Sequence, residues 1–277
     1  MYTFISKVGR KVCVMFKRNM STAVLCYLVM MCGLVLAGCG KKPGTQMFTY
    51  VKKDDATIEI TGFTDAAKEQ SSFIIPTEID GIKVTSVARE SFRDCANIKE
   101  ISIAEGVETI GENAFLGCYN LETINFPSTI ESVGTNVVKN TIWEKNEYEQ
   151  YGAVINNILS SVQNVPSEYK LPDGIKKIAS GVFYGNTQLT KIDMGSSLEE
   201  IGTFAFAGCT GITELRIPSS EKNIGYGAFS QCTNLTVSVP DTVGQVGQEA
   251  FYKVKFVEYK GKLGGAYWGA AAGGKEK

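Results

Sequence analysis

The feature that most constrains this chain is a self-similarity with a period of 23 residues. Val87, Ile110 and Val133 stand at that interval, as do Phe92 and Phe115, Cys95 and Cys118, Asn97 and Asn120, Ile98 and Leu121, and Ile101 and Ile124. The same phase returns in Ile178, Ile201 and Ile224, in Phe183, Phe206 and Phe229, and in Cys209 and Cys232. A last copy, carrying Val246 and Phe251, is one residue shorter. One such unit is too small to bury its apolar side alone, whereas stacked copies place equivalent Leu, Ile and Phe in continuous columns. The chain is therefore expected to form a curved solenoid.

Each unit reads Ile-Gly-x-x-Ala-Phe-x-x-Cys-x-x-Leu-x-x-Ile-x-Ile-Pro, clearest in Ile110-Gly-Glu-Asn-Ala-Phe-Leu-Gly-Cys-Tyr-Asn-Leu-Glu-Thr-Ile-Asn-Phe-Pro127 and again over Ile201–Pro218. Its Leu-x-x-Ile-x-Ile portion alternates like a short strand with one face buried. Proline then stops the strand, because it has no N–H to give to a ladder. The Ala-Phe segment has room only for a turn of helix or a tight loop, with Phe pointing inward. These motifs resemble the BspA-like leucine-rich-repeat family of bacterial surface proteins over about residues 87–254. The resemblance implies an α/β-type, mostly β solenoid: a right-handed leucine-rich-repeat coil with short parallel strands on one face and turns or helical turns on the other. It also implies adhesion, or binding to host or neighbouring-cell proteins.

The phase is broken over about 134–177, where Thr141-Ile-Trp143-Glu-Lys-Asn-Glu-Tyr-Glu-Gln-Tyr-Gly152 replaces an ordinary unit. Asn156-Asn157 after it suggests a hairpin, and Pro172-Asp-Gly174 restarts the coil. We read this as an interruption within one solenoid spanning 87–257. Upstream, over 48–86, Thr57–Thr61 and Phe73–Pro76 alternate like strands and should cap the first repeat. The Gly- and Ala-rich stretch 258–277 has the composition of a flexible tail in which Tyr267 and Trp268 are read as incidental, the alternative being a contact pair.

Residues 1–38 carry five basic residues and then an apolar run from Ser21 to Leu36, in the order of an export signal. The run is short for a spanning helix, which needs about 20 residues. Leu36-Ala37-Gly38-Cys39 resembles the bacterial lipobox, which implies that Cys39 becomes a lipid-modified mature N-terminus in the cell envelope. The tether 39–47 is short: its Gly40–Gln46 stretch spans at most roughly 25 Å, which would hold the folded part close to its membrane.

Of 28 basic residues five precede Cys39, where no acid stands, leaving 23 against 29 acidic ones and a net charge of about −6 in the mature chain. That balance argues against nucleic acid as a partner. Histidine is absent, which removes the commonest general base, the usual zinc ligand and the partner of most Ser or Cys nucleophiles. No cofactor or metal is expected. Cys95, Cys118, Cys209 and Cys232 share one repeat position, which favours an internal column of thiols over disulfides. Asn186 takes the same place in another unit.

Side chains free to act are the outward ones on the strands: Glu100 and Ser102, Thr123 and Asn125, Lys191 and Asp193, Glu214 and Arg216, with Ser238 at the shortened end. They form a mixed polar strip without aromatics. The irregular segment supplies an alternative contact in Trp143, Tyr148 and Tyr151. The leading expectation is a monomeric, non-catalytic, adhesin-like module that binds a protein of the host matrix, a neighbouring cell or the envelope. A structural or accessory envelope protein is the first alternative. A carbohydrate-active enzyme is the second, although its carboxylate pair would have to lie about 5–10 Å apart and Glu100 and Glu214 are several units distant.

Overall fold

A computed structural model describes residues 47–54, 56–147, 152–259, 261 and 267–274. The expected strands form, but each coil contains two of them rather than one. After the repeat Leu come β6 (Glu100–Ile103), β8 (Thr123–Asn125), β12 (Glu168–Lys170), β14 (Lys191–Asp193), β16 (Glu214–Arg216), β18 (Thr236–Val239) and β20 (Phe256–Tyr259). Ending on the residue before the repeat Gly, or before Ala179 in the case of β13, are the two-residue strands β7 (Thr109–Ile110), β9 (Ser132–Val133), β13 (Lys177–Ile178), β15 (Glu200–Ile201), β17 (Asn223–Ile224) and β19 (Gln245–Val246). Both sets pair in parallel at a one-coil offset, as in Ser102 opposite Asn125 and Ile201 opposite Ile224. The result is a mostly β, parallel-stacked solenoid of about nine turns with little helix. A single parallel sheet on one face was too simple an expectation, because a two-residue strand leaves no alternation to read.

The coil is sealed at its amino end by β1 (Phe48–Lys52) antiparallel to β2 (Ile58–Phe63). The strand β2 pairs with β5 (Ile82–Val87), which the short β4 (Glu78–Ile79) joins antiparallel, and β3 (Ser72–Ile75) pairs with β6, so the cap continues both ladders. In the irregular unit, β10 (Ala153–Ile155) and β11 (Ile158–Ser161) form the expected hairpin, with Asn156 and Asn157 at positive φ. A six-residue helix, α1 (Ile142–Glu147), precedes it. Thr141 Oγ1 accepts the N–H of Glu144 at 2.9 Å while Glu144 Oε2 accepts that of Asn140 at 2.8 Å, a reciprocal cap of the Thr-x-x-Glu kind. Glu144 Oε1 also accepts the Ser161 hydroxyl at 3.0 Å, which ties α1 to the hairpin.

Phe92, Phe115, Phe183, Phe206, Phe229 and Phe251 are fully buried. Phe183, Phe206, Phe229 and Phe251 lie ring on ring, with centroids 4.8, 5.2 and 5.5 Å apart and planes within 6°. Beside them Cys118, Cys209 and Cys232 donate their thiols to the carbonyl oxygens of Phe92, Phe183 and Phe206 in the coil before, at 2.9–3.0 Å. All four described cysteines are free. Asn186 serves the same turn by accepting the N–H groups of Gln188 and Leu189.

The carboxyl end differs from the expectation of an unstructured tail. Phe251 would be the open end of the ring column, and Trp268 covers it edge-on at 6.0 Å while meeting Tyr259 at 5.2 Å. Backbone bonds from Phe251 to Trp268, Lys253 to Gly269 and Ala271 to Val254 lay this segment on as a last partial coil, and β21 (Gly273–Gly274) pairs with β20. Exposed apolar columns must be covered, and glycine-rich composition hid the residue that does so. Among the described residues no helix is long and apolar enough to cross a membrane.

Candidate interaction surface

The strand that follows each repeat Leu alternates buried and outward residues, and on β6, β8, β14 and β16 the outward ones are those picked out by sequence. Glu100, Thr123, Asn125, Lys191, Asp193, Glu214 and Arg216 are exposed and Ser102 is half-buried. They do not form one strip. Glu100, Ser102, Thr123 and Asn125 belong to the sheet β3-β6-β8, Lys191 and Asp193 to β12-β14, and Glu214 and Arg216 to β16-β18-β20-β21. The irregular unit separates the first group from the second.

In the first two patches side chains pair across coils. Asn125 Nδ2 donates to Ser102 Oγ at 3.0 Å. Lys191 Nζ lies 3.5 Å from Glu168 Oε2, and Arg216 Nε lies 4.0 Å from Glu214 Oε1 on the same strand. Asp193 Oδ1 accepts the N–H of Gly195 at 2.9 Å. Such exposed pairs contribute little to stability, so they are available to a partner. Sequence reasoning missed Glu168 and Lys170, which stand opposite Lys191 and Asp193. Their signal was Leu171-Pro172, which ends β12 as Ile217-Pro218 ends its own strand.

The alternative aromatic contact is partly committed elsewhere. Trp143 is half-buried and meets Phe126 edge-on at 5.5 Å, because α1 folds back over the first half of the core. Tyr148, Tyr151 and Cys39 with its lipobox lie outside the described residues. Exposed rings occur where none was expected: Phe204 meets Tyr226 edge-on at 5.1 Å, and the Tyr226 hydroxyl donates to Glu249 Oε2 at 3.0 Å. Phe204 also holds φ at 53°, a left-handed conformation uncommon for a bulky residue.

A groove of about 790 Å³ runs along the second ladder, lined among others by Lys177, Glu200, Asn223, Gln245 and Trp268. Lys177 Nζ and Glu200 Oε1 are 2.8 Å apart. Glycines 202 and 225 line it too, and a Cβ on either would come within 2.7 Å of the backbone of the preceding coil, which is why the repeat keeps Gly there. Just before β17, Glu221 is fully buried. It occupies the column position held by Val107, Ile130, Ile175, Leu198 and Val243 in the other coils. Its Oε1 accepts the N–H of Asn223 at 3.0 Å, whereas Oε2 and the neighbouring Ser220 Oγ have no hydrogen-bond partner among the described residues. Burial pushes this carboxyl up to about 7.

The family model for the BspA type leucine rich repeat region matches in six copies, over residues 57–143, 85–165 and 156–261. The chain belongs to the BspA-type leucine-rich-repeat family. Among curated proteins none matches. Solved structures similar to this BspA-type chain include the T. pallidum leucine-rich-repeat protein, 23% identical over 77% of this chain and 89% of that one with a TM-score of 0.40. A leucine-rich cell-surface protein of Faecalibacterium prausnitzii is 17% identical over 82% and 96%, with a TM-score of 0.36. The pneumococcal vaccine antigen PcpA is 17% identical over 83% and 86%, with a TM-score of 0.41. The BspA-type repeat accounts for the turn thiols, the ring column and the glycine row as one construction repeated.

Proposed function

We propose that the protein is a non-catalytic, adhesin-like interaction module, lipid-anchored at Cys39 to the bacterial cell envelope, that binds a protein partner through the outward residues of its right-handed coil. The observation that carries this reading is the set of outward residues on β12, β14 and β16: Glu168, Lys170, Lys191, Asp193, Glu214 and Arg216 project from the strands, and the ion pairs Lys191–Glu168 and Arg216–Glu214 lie among them. Charged groups of both signs at fixed spacing select a partner more by complementarity than by area. The short tether favours a second reading, an accessory protein that docks on other envelope components.

The test is a pull-down from host-matrix and envelope fractions, followed by a direct binding assay with the recovered partner. Replacing Lys191, Asp193, Glu214 and Arg216 together with alanine should weaken binding at least several-fold and leave the melting curve in place, since exposed substitutions change stability little. Full affinity with native melting would remove the site from this face. Incorporation of radiolabelled palmitate should be lost in Cys39→Ser, and its retention would remove the anchor.

A further inference from the structure

We propose that the groove along the second ladder is a binding site for a linear, uncharged carbohydrate chain. It lies on a different ladder from the protein-binding patch above and stands or falls independently of it. Its volume, about 790 Å³, falls within the range of ligand sites.

The lining excludes the other common occupants. An added peptide strand needs a free row of backbone N–H and C=O groups, but here Gly202, Gly225 and Gly247 donate to Ile178, Ile201 and Ile224 at 2.9, 2.8 and 2.7 Å, so the ladder is closed on itself. An apolar helix needs a hydrophobic stripe, whereas the outward residues of the floor strands are Ser132, Lys177, Glu200, Asn223 and Gln245. A polyanion needs unpaired cations, and among the described residues the only cation in the lining, Lys177, is held by Glu200 at 2.8 Å.

What the groove offers is amides, hydroxyls and a neutralised ion pair, arranged about one set per coil at the inter-strand spacing of roughly 4.7–4.9 Å. Trp268 adds an aromatic wall at its end. Hydroxyl-rich rings in a chain parallel to the solenoid axis would meet Asn223 and Gln245 as donors and acceptors together, and one sugar face would stack on the indole. The glycine row matters for this chemistry as well, because the absence of side chains there leaves the floor open.

The experiment is a glycan array carrying neutral, sulfated and uronic-acid chains, probed with the purified full-length protein. Neutral linear glycans should bind and anionic ones should not be preferred. The best neutral oligosaccharide should then shift the Trp268 emission in a Trp143→Phe background. Asn223→Ala with Gln245→Ala should weaken binding at least ten-fold at an unchanged melting temperature, both side chains being exposed. The quadruple alanine variant at Lys191, Asp193, Glu214 and Arg216 should bind the sugar as the native protein does. An array without a neutral ligand, a preference for anionic chains, or unchanged affinity in the double variant overturns the proposal.

Discussion

Glu221 is the one acid in an otherwise aliphatic column, and replacing it with Leu should stabilise the protein at neutral and alkaline pH. Its carboxyl sits between the positions of Leu198 and Val243, with one oxygen unpartnered among the described residues, and burial moves it from 4.5 to about 7. Below pH 4.5 the group is protonated in both the folded and the unfolded chain. Between 4.5 and 7 the unfolded chain releases the proton while the fold holds it, so stability falls as pH rises; above about 7 the loss is complete. At 1.36 kcal/mol per unit of pKa the full loss is about 3 kcal/mol. The measurement is free of the usual confusion, because the chain has no histidine to titrate in the same window. Urea midpoints should therefore fall from pH 5 to pH 8 in the native protein and stay level in Glu221→Leu. Glu221→Gln should also lose the pH dependence while keeping an imperfectly paired polar group. If the native midpoints were flat, or if both variants fell in parallel with it, the buried carboxyl would not be the cause.

Phe206→Ala should cost about 3–5 kcal/mol, because it opens a cavity between two stacked rings as well as removing apolar surface; thermal melts read this, and an unshifted melting temperature would remove the ring from the core. At pH 8 an alkylating reagent should label half-buried Cys95 well before Cys118, Cys209 or Cys232, whose burial pushes them up to about 12; mass spectrometry of partly labelled protein reads the order, and rapid labelling of all four would contradict the thiol column.

The solenoid, its phase and its ring column were legible in the sequence because they are encoded by periodic apolar residues, and periodicity survives without coordinates. The strand after each repeat Leu was legible for the same reason, since Ile101, Ile124, Ile192 and Leu215 alternate with polar neighbours. The second ladder was not. A two-residue strand gives no alternation, and its side chains, Lys177, Glu200, Asn223 and Gln245, look like any solvated positions until the coil lines them up. The carboxyl cap was lost for a different reason: Trp268 lies in a run of Gly and Ala whose composition reads as flexible, and composition averages away one decisive ring.

A better signal for the second ladder was present in the small residue after each repeat Ile or Val. Gly111, Gly134, Gly202, Gly225 and Gly247 hold this place wherever a regular coil precedes, and Ala88 and Ala179 hold it where the amino-terminal cap or the irregular hairpin precedes instead. A Cβ at Gly202 would come within 2.7 Å of the Ser180 backbone nitrogen, and one at Gly225 within 2.7 Å of the Gly202 backbone carbon, although neither glycine has a positive φ. The requirement is thus one of approach between coils and not of backbone conformation. A Gly that alternates with Ala according to what lies one period upstream is evidence of close stacking at that point. Close stacking of backbones at parallel register is a ladder, so a row of outward side chains must stand beside it, and that row is the floor of the groove.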